Sequence, residues 1–360
     1  MLDIIVPSEI DDKPVTAFKY DTSYYKTNLI KIPSTVTKMD LDGSFNEIII
    51  DENNPIYDSR DNCKSAIETA TNTLLNIGDL GFIPDTVTCL DENSFYFSDI
   101  KEVVIPASVI SIPDSFSFTI CDELESVKVD ENNPVYDSRD NCNGIIETET
   151  NRLIASSVNG FIPNTVNTID EGAFEYLDIK EILIPSSVTN IKEGAFCGLR
   201  KLESVKVDEN NPVYDSRNNC NGIIDTKANK LICGFNCTII PKYVFTIASK
   251  AFYCVHLDYW DFTKNSFIYE DNSFYICTFE KGLVLPELKN SKDVEYFNKI
   301  LHISSIDCLY LNNITLDENV LSFIDSVDKQ DILTFRYLKH IYSIICSSRW
   351  HYVDGLPVIY

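Results

Sequence analysis

The sequence predicts a repeat solenoid, mostly β, with short helical or 3-10 corners, inserted β-hairpins and a C-terminal cap. Three observations carry this. First, three 34-residue segments are nearly identical: 51–84 (DENNPIYDSRDNCKSAIETATNTLLNIGDLGFIP), 130–163 (DENNPVYDSRDNCNGIIETETNRLIASSVNGFIP) and 208–241 (DENNPVYDSRNNCNGIIDTKANKLICGFNCTIIP). They start 79 and 78 residues apart, which is the mark of a repeat architecture. Second, Ile-Pro pairs recur at 83–84, 105–106, 162–163, 184–185 and 240–241, so two coils of 22 or 23 residues alternate with one of 34. Third, the short coils end in a strand pattern, Leu202-x-x-Val205-x-Val207 or Ile179-x-x-Ile182-x-Ile184, whose last apolar positions alternate with an outward residue.

The elements follow from these units. In coil 184–205 the apolar positions are Ile184, Val188, Ile191, Ala195-Phe196, Leu199, Leu202 and Val205, and coil 162–183 keeps nearly the same phase. One coil holds too few apolar groups to close a core, whereas stacked coils bury them as continuous ladders. Proline after the strand cannot donate to a ladder, so it ends the pairing and turns the chain. Glu-Gly-Ala-Phe at 171–174 and 193–196 suits a tight corner with a large core plug. In the long block, Gly144 to Thr148 and Arg152 to Ile154 read as a hairpin across a short turn. The Asp-Glu-Asn-Asn-Pro run before it is loop chemistry, with Asn and Asp bonding their own backbone and Pro fixing φ. Two coils depart: 105–127 has Ser115-Phe116 out of phase and an extra Pro113, and the first supra-repeat is shortened, with 18 residues from Ile32 to Ile49. In 261–360, Tyr269 to Tyr275 has hairpin character, 293–306 and 331–346 carry helix-like spacing, and Leu309-Tyr310-Leu311 suits a decayed coil.

Three motifs, IPSSVTNIKEGAFCGLRKLESVKV, ENNPVYDSRDNCNGIIETETNRLI and the opening VPSEIDDKPVTAF, together resemble the BspA-type leucine-rich repeat family over about residues 4–260. The resemblance implies a leucine-rich-repeat right-handed superhelix with a parallel sheet on one face. It also implies non-catalytic binding or adhesion at cell surfaces, to a protein or an extracellular-matrix component. The expected organisation is therefore a solenoid over 1–260 and a cap or small mixed α/β region over 261–360.

Composition narrows the function. Among 360 residues, 30 basic and 55 acidic side chains give a net charge of −25, with −20 carried by residues 1–260. Such a surface repels phosphate backbones and anionic lipid heads, so no nucleic-acid partner is expected. The longest apolar run is five residues, 251–255, so no transmembrane helix is expected. The opening MLDIIVP lacks a basic start and is interrupted by Pro7, so no signal peptide is readable. With Met1 as the true start the chain is expected in the cytoplasm; the resemblance points instead to the cell surface or secretion.

No catalytic group, cofactor or metal site is expected. Cys63, Cys142 and Cys220 hold one position in the three blocks. Three coils apart at the ~4.8 Å strand spacing they sit roughly 14 Å from one another, beyond the ~7 Å that a disulfide spans between Cα atoms. Buried thiols are expected for the twelve cysteines, with pairing of Cys233 to Cys237 or to Cys220 left open. There is no Cys-x-x-Cys, and Cys254 with His256, His302 with Cys308 and His340 with Cys346 form no recognisable zinc spacing. Cys346 with His340 lacks any accompanying oxyanion-hole signal for nucleophilic catalysis. The Asp-rich blocks place Pro where a calcium loop wants a ligand. Arg60, Arg139 and Arg217 beside Asp58, Asp137 and Asp215 read as local ion pairs. No phosphate loop, GxSxG or HExxH occurs.

What remains is the face made by the stacked strands, where solenoids bind partners. Its outward positions are Lys101, Glu102 and Val104; Glu125, Ser126 and Lys128; Lys180, Glu181 and Leu183; and Glu203, Ser204 and Lys206. Mixed charge with two exposed aliphatics suits a protein partner. The alternatives are an intracellular interaction scaffold and a repeat-targeted effector with activity in 261–360.

Overall fold

The computed structural model describes residues 2–21, 26–113, 118, 121, 123–263, 266–286, 291–306, 308–311, 340–343, 350–353 and 356–359. The chain divides into two compact units, Met1–Lys227 and Ala228–Tyr360. The architecture is a β-solenoid in which strands of neighbouring coils stack in parallel.

In the first unit one series of parallel strands comprises Leu2–Ile5, Thr27–Ile32 and Phe45–Ile50, then Glu102–Ile105 with Ser126–Val129, then Glu181–Ile184 with Ser204–Val207. The period-two pattern dictates these strands: in Glu102–Ile105 and Glu181–Ile184 burial alternates exposed, buried, exposed, buried. Short strands form the second series. Cys89–Leu90 pairs with Thr73–Asn76, and Thr168–Ile169 pairs with both Arg152–Ser156 and Asn190–Ile191, all parallel. The core lies between the two series. Ile30 and Ile48, Val103 and Val127, and Ile182 and Val205 are buried ladder partners. The corner phenylalanines Phe174 and Phe196 plug neighbouring coils, 2% and 4% exposed, with ring centroids 5.2 Å apart. Gly172 and Gly194 enter those corners at φ of 70° and 76°, a left-handed conformation that costs a β-carbon-bearing residue strain.

The first two long blocks each insert an antiparallel hairpin, Ala66–Glu68 with Thr73–Asn76 and Gly144–Glu147 with Arg152–Ser156, as the residue pattern requires. Asn72 and Asn151 take positive φ at the hairpin turns, where asparagine tolerates it best after glycine. The 3-10 turns fall inside the long blocks, at Arg60–Asn62, Arg139–Asn141 and Arg217–Asn219. Among the described residues the Glu-Gly-Ala-Phe corners are non-helical turns, and the single α-helix is Ser291–Ile300.

In the second unit parallel pairing runs on past residue 260. Lys230–Cys233, Thr246–Ile247 and Ile268–Tyr269 form one series. Phe252–Tyr253 and His256–Asp261 both pair with the long strand Phe274–Leu285, which pairs onward with Leu301–Ile306 and Cys308–Leu311. Cys308–Leu311 pairs with His340–Ser343, so Leu309-Tyr310-Leu311 does lie in a parallel coil strand. The hairpin expected at 269–275 is not formed. Ile268–Tyr269 and Phe274–Leu285 belong to different sheets and each pairs in parallel, because each stacks on the preceding coil rather than on its sequence neighbour. The helix-like spacing at 293–306 resolves into helix to Ile300 and strand from Leu301. The spacing at 331–346 falls largely outside the described residues, whose part here is the strand His340–Ser343. The irregularity at Ser115-Phe116 lies outside them entirely.

Candidate functional site

The twelve outward residues fall into two patches of the first unit. In one, Glu102 lies beside Ser126 and Val104 beside Lys128. In the other, Glu181 lies beside Ser204 and Leu183 beside Lys206. Lys101 and Lys180 precede their strands, and their carbonyls accept the Glu125 and Glu203 amides at 2.9 and 2.8 Å. All twelve are exposed except Ser126 and Ser204, which are half-buried. Val104 and Leu183 are 57% and 61% exposed, so each patch sets a large aliphatic beside a lysine. Lys101 reaches Glu123 at 3.5 Å, a solvent pair of little energetic weight. The chemistry offered is an ordered row of charges around an apolar group.

The Asp-rich blocks are spent on structure. Asn133 donates from Nδ2 to the carbonyls of Pro106 and Val109, at 2.9 and 2.8 Å, in the preceding coil. Its Oδ1 accepts the amides of Val135 and Tyr136, at 2.9 and 2.8 Å. Asn54 makes the same four bonds to Pro33, Val36, Ile56 and Tyr57, and Asn211 to Pro185, Val188, Val213 and Tyr214. The tyrosine that follows adds a second tie: the hydroxyls of Tyr57, Tyr136 and Tyr214 accept the amides of Met39, Ile112 and Ile191 at 3.2, 2.9 and 3.2 Å. The block is thus a staple between coils. Sequence reading anticipated only the local half of it, since Asp51, Asp130 and Asp208 do cap their own loops.

The recurring arginine is a bidentate partner of the aspartate two residues before it. Arg60 donates from Nε and a terminal nitrogen to Asp58 at 2.7 and 2.6 Å, and Arg139 to Asp137 at 2.7 and 2.5 Å. Arg217 holds Asp215 in the same way. Thr69, Thr148 and Thr226 donate to the same carboxylates at 2.9, 2.7 and 2.8 Å. Burial pushes these carboxyls up, yet the hydrogen bonds from arginine, threonine and the arginine backbone amide prevail and hold them below the usual range. Among the described residues no three His, Cys, Asp or Glu side chains converge as a metal site.

Ten cysteines, from Cys63 to Cys277, are thiols, and these include Cys220, Cys233 and Cys237, whose pairing the sequence left open. Cys63, Cys142 and Cys220 are buried beside the carbonyls of Ser65, Gly144 and Gly222. Burial pushes the Cys142 thiol up to about 11. No described helix is long and apolar enough to cross a membrane.

The model of the "BspA type Leucine rich repeat region" matches this chain in six copies, over residues 71–143, 155–232 and 231–327. No curated protein matches the sequence. Among solved structures, a leucine rich cell surface protein from Faecalibacterium prausnitzii shares 16% identity over 91% of this chain and 90% of its own, with a TM-score of 0.37. A leucine-rich repeat protein from Eubacterium ventriosum shares 17% identity over 73% of this chain and 83% of its own, with a TM-score of 0.37. Another from Bacteroides ovatus shares 15% identity over 96% and 92%, with a TM-score of 0.31. The repeat match spans well over half the chain and coincides with coils whose strands stack in parallel: the chain belongs to the BspA-type leucine-rich repeat family.

Proposed function

We propose that this chain is a non-catalytic protein-binding module that acts through its strand face and serves in adhesion at a cell surface. One observation carries the reading. Two in-register patches present the same arrangement, lysine and glutamate beside an exposed aliphatic on one strand, and glutamate, serine and lysine on the next. An exposed aliphatic ringed by charge is the composition of a protein-contact surface, with an apolar centre and a polar rim. Residues 261–360 are proposed to close the end of the solenoid. A second reading, an intracellular scaffold binding through the same face, is favoured by the ten thiols, which suit a reducing compartment.

Protease shaving of intact cells, followed by mass spectrometry, separates the two. The arginines in DENNPVYDSR are cleavage sites. Peptides from 1–260 released by unbroken cells support adhesion; peptides seen only after lysis sink it and leave the scaffold.

A further inference from the structure

The third long block nearly copies the second, yet the surface that follows it differs. Lys242, Tyr243 and Phe245 stand where the second block is followed by Asn164, Thr165 and Asn167, and the first by Asp85, Thr86 and Thr88. The backbone is unchanged: the amides of Phe245, Asn167 and Thr88 donate, each at 3.0 Å, to the carbonyls of Asn229, Asn151 and Asn72. One coil on, Ile268 pairs with Thr246 at the register where Asn190 pairs with Thr168. The Ile268 amide donates to the Phe245 carbonyl at 2.8 Å, so the substituted positions are neighbours. Tyr243, Phe245 and Ile268 are 64%, 57% and 65% exposed, so core packing does not demand the change. The charge changes with it. Residues 228–257 hold three lysines and no Asp or Glu, in a chain with 55 acidic residues among 360. Lys230 is engaged with Glu270 at 3.1 Å, and Lys242 is exposed beside Tyr243 in sequence.

The chain carries the complement of this patch in its first unit. Residues 1–227 hold 18 basic and 40 acidic side chains, or −22. Glu9–Ile10 and Lys13–Pro14 pair as a hairpin whose turn is Asp11-Asp12, at φ of 51° and 59°. Every residue from Pro7 to Pro14 is exposed, and Ile10, 58% exposed, sits among Glu9, Asp11 and Asp12. An isoleucine among carboxylates matches exposed aromatics beside a lysine, apolar group to apolar group and charge to opposite charge. We propose that copies of this chain associate head to tail, the 7–14 hairpin of one docking on Tyr243, Phe245 and Ile268 of a second, with Lys242 toward the Asp11-Asp12 turn. The contact is heterologous, so it builds a ring or an open row of copies rather than a twofold dimer. A single hairpin buries less than the ~1,200 Å² below which contacts are transient, so the association is weak.

The test is sedimentation velocity of the full chain over about 10–500 µM, the range that populates a weak contact. The weight-average mass is expected to rise with concentration. The triple variant Tyr243→Thr, Phe245→Asn and Ile268→Asn takes the residues found at the equivalent positions 165, 167 and 190, which this fold already accepts, and weakens association at least fivefold. Asp11→Asn with Asp12→Asn, a residue that suits the positive φ of that turn, weakens it at least threefold. The sign is diagnostic, because removing two negative charges from a chain of −25 relieves general repulsion and by itself strengthens association. Mixing the two variants restores a heterodimer of wild-type affinity, since one supplies the intact hairpin and the other the intact patch, and only folded chains complement. The proposal is overturned if the wild-type chain stays monomeric across the range or if either variant associates as wild type does. It is also overturned if the mixture associates no better than each variant alone. Neither surface belongs to the strand face, so failure here leaves the proposed function standing.

Discussion

Replacing Asn133 with alanine tests whether the repeated block is a staple between coils. The side chain makes four hydrogen bonds of 2.8–2.9 Å, two of them to the coil before it. A neutral hydrogen bond contributes about 0.5–1.5 kcal/mol net, and unpaired partners left in a half-buried site cost more than the bond itself. Asn133 is half-buried, so water re-solvates part of what is exposed. The expected loss is about 2–4 kcal/mol, or roughly 4–16 °C in Tm for a unit of this size. Asn132→Ala is the internal control, because Asn132 bonds only Asp130 in its own loop and is exposed. It should cost under about 1 kcal/mol. Asn133→Asp keeps the acceptor, loses both donors and turns a carboxylate toward two carbonyls, so it should cost at least as much as alanine. Denaturant unfolding reads the total. Amide hydrogen exchange at Val135 and Tyr136 reads the local opening, which matters in a repeat array whose coils unfold semi-independently. The staple account is refuted if Asn133→Ala lies within 0.5 kcal/mol of wild type, or equals Asn132→Ala.

Other expectations follow from the same structure. Phe174→Ala removes a plug that is 2% exposed and stacked on Phe196, and should cost about 3–5 kcal/mol by calorimetry or denaturant unfolding. Asp170 is 1% exposed with Lys192 at 2.6 Å and Arg152 at 3.3 Å, so Asp170→Ala, which takes a carboxylate from Lys192 and leaves Arg152 only its pair with Glu147, should cost about 2–4 kcal/mol, whereas a surface carboxylate such as Glu131 should cost almost nothing. Lys64 sits at φ 57° where the other two blocks carry Asn143 and Asn221, so Lys64→Asn should stabilise by about 0.5–1 kcal/mol, less whatever its pair with Glu47 contributes. The Asp137 carboxyl is held below its ordinary 3.8, so its contribution is fully present above that value and is lost as pH falls through the depressed one; an acid titration of stability should be shallower in Asp137→Asn. Cys142, buried and raised to about 11, should react with Ellman's reagent only as fast as the fold opens.

Much of the fold was legible because it is written in local periods. Alternation along Glu102–Ile105 and Glu181–Ile184 states which side chains face out, and the structure exposes Lys101, Glu102, Val104, Lys180, Glu181 and Leu183 accordingly. The hairpin of the long block was readable from its apolar runs and Asn-bearing turn. Contacts between coils were not legible. Nothing in the string Asn-Asn-Pro tells which asparagine caps its own loop and which reaches the carbonyl of Pro106, 27 residues earlier. The strands at 268–269 and 274–285 look like a hairpin in sequence because closeness along the chain is all a sequence shows; each found its partner one coil back.

The sequence alone therefore determined the repeat, its coil lengths, the inward and outward faces and the family, since each depends on residue order within one coil. Tertiary stacking decided the rest. It turned loop residues into staples by bringing their amide groups against carbonyls of the coil before. It carried parallel pairing past residue 260, where the backbone of Phe274–Leu285 offers a ladder to the strands on either side. These outcomes depend on distances between coils, and those exist only once the coils are stacked.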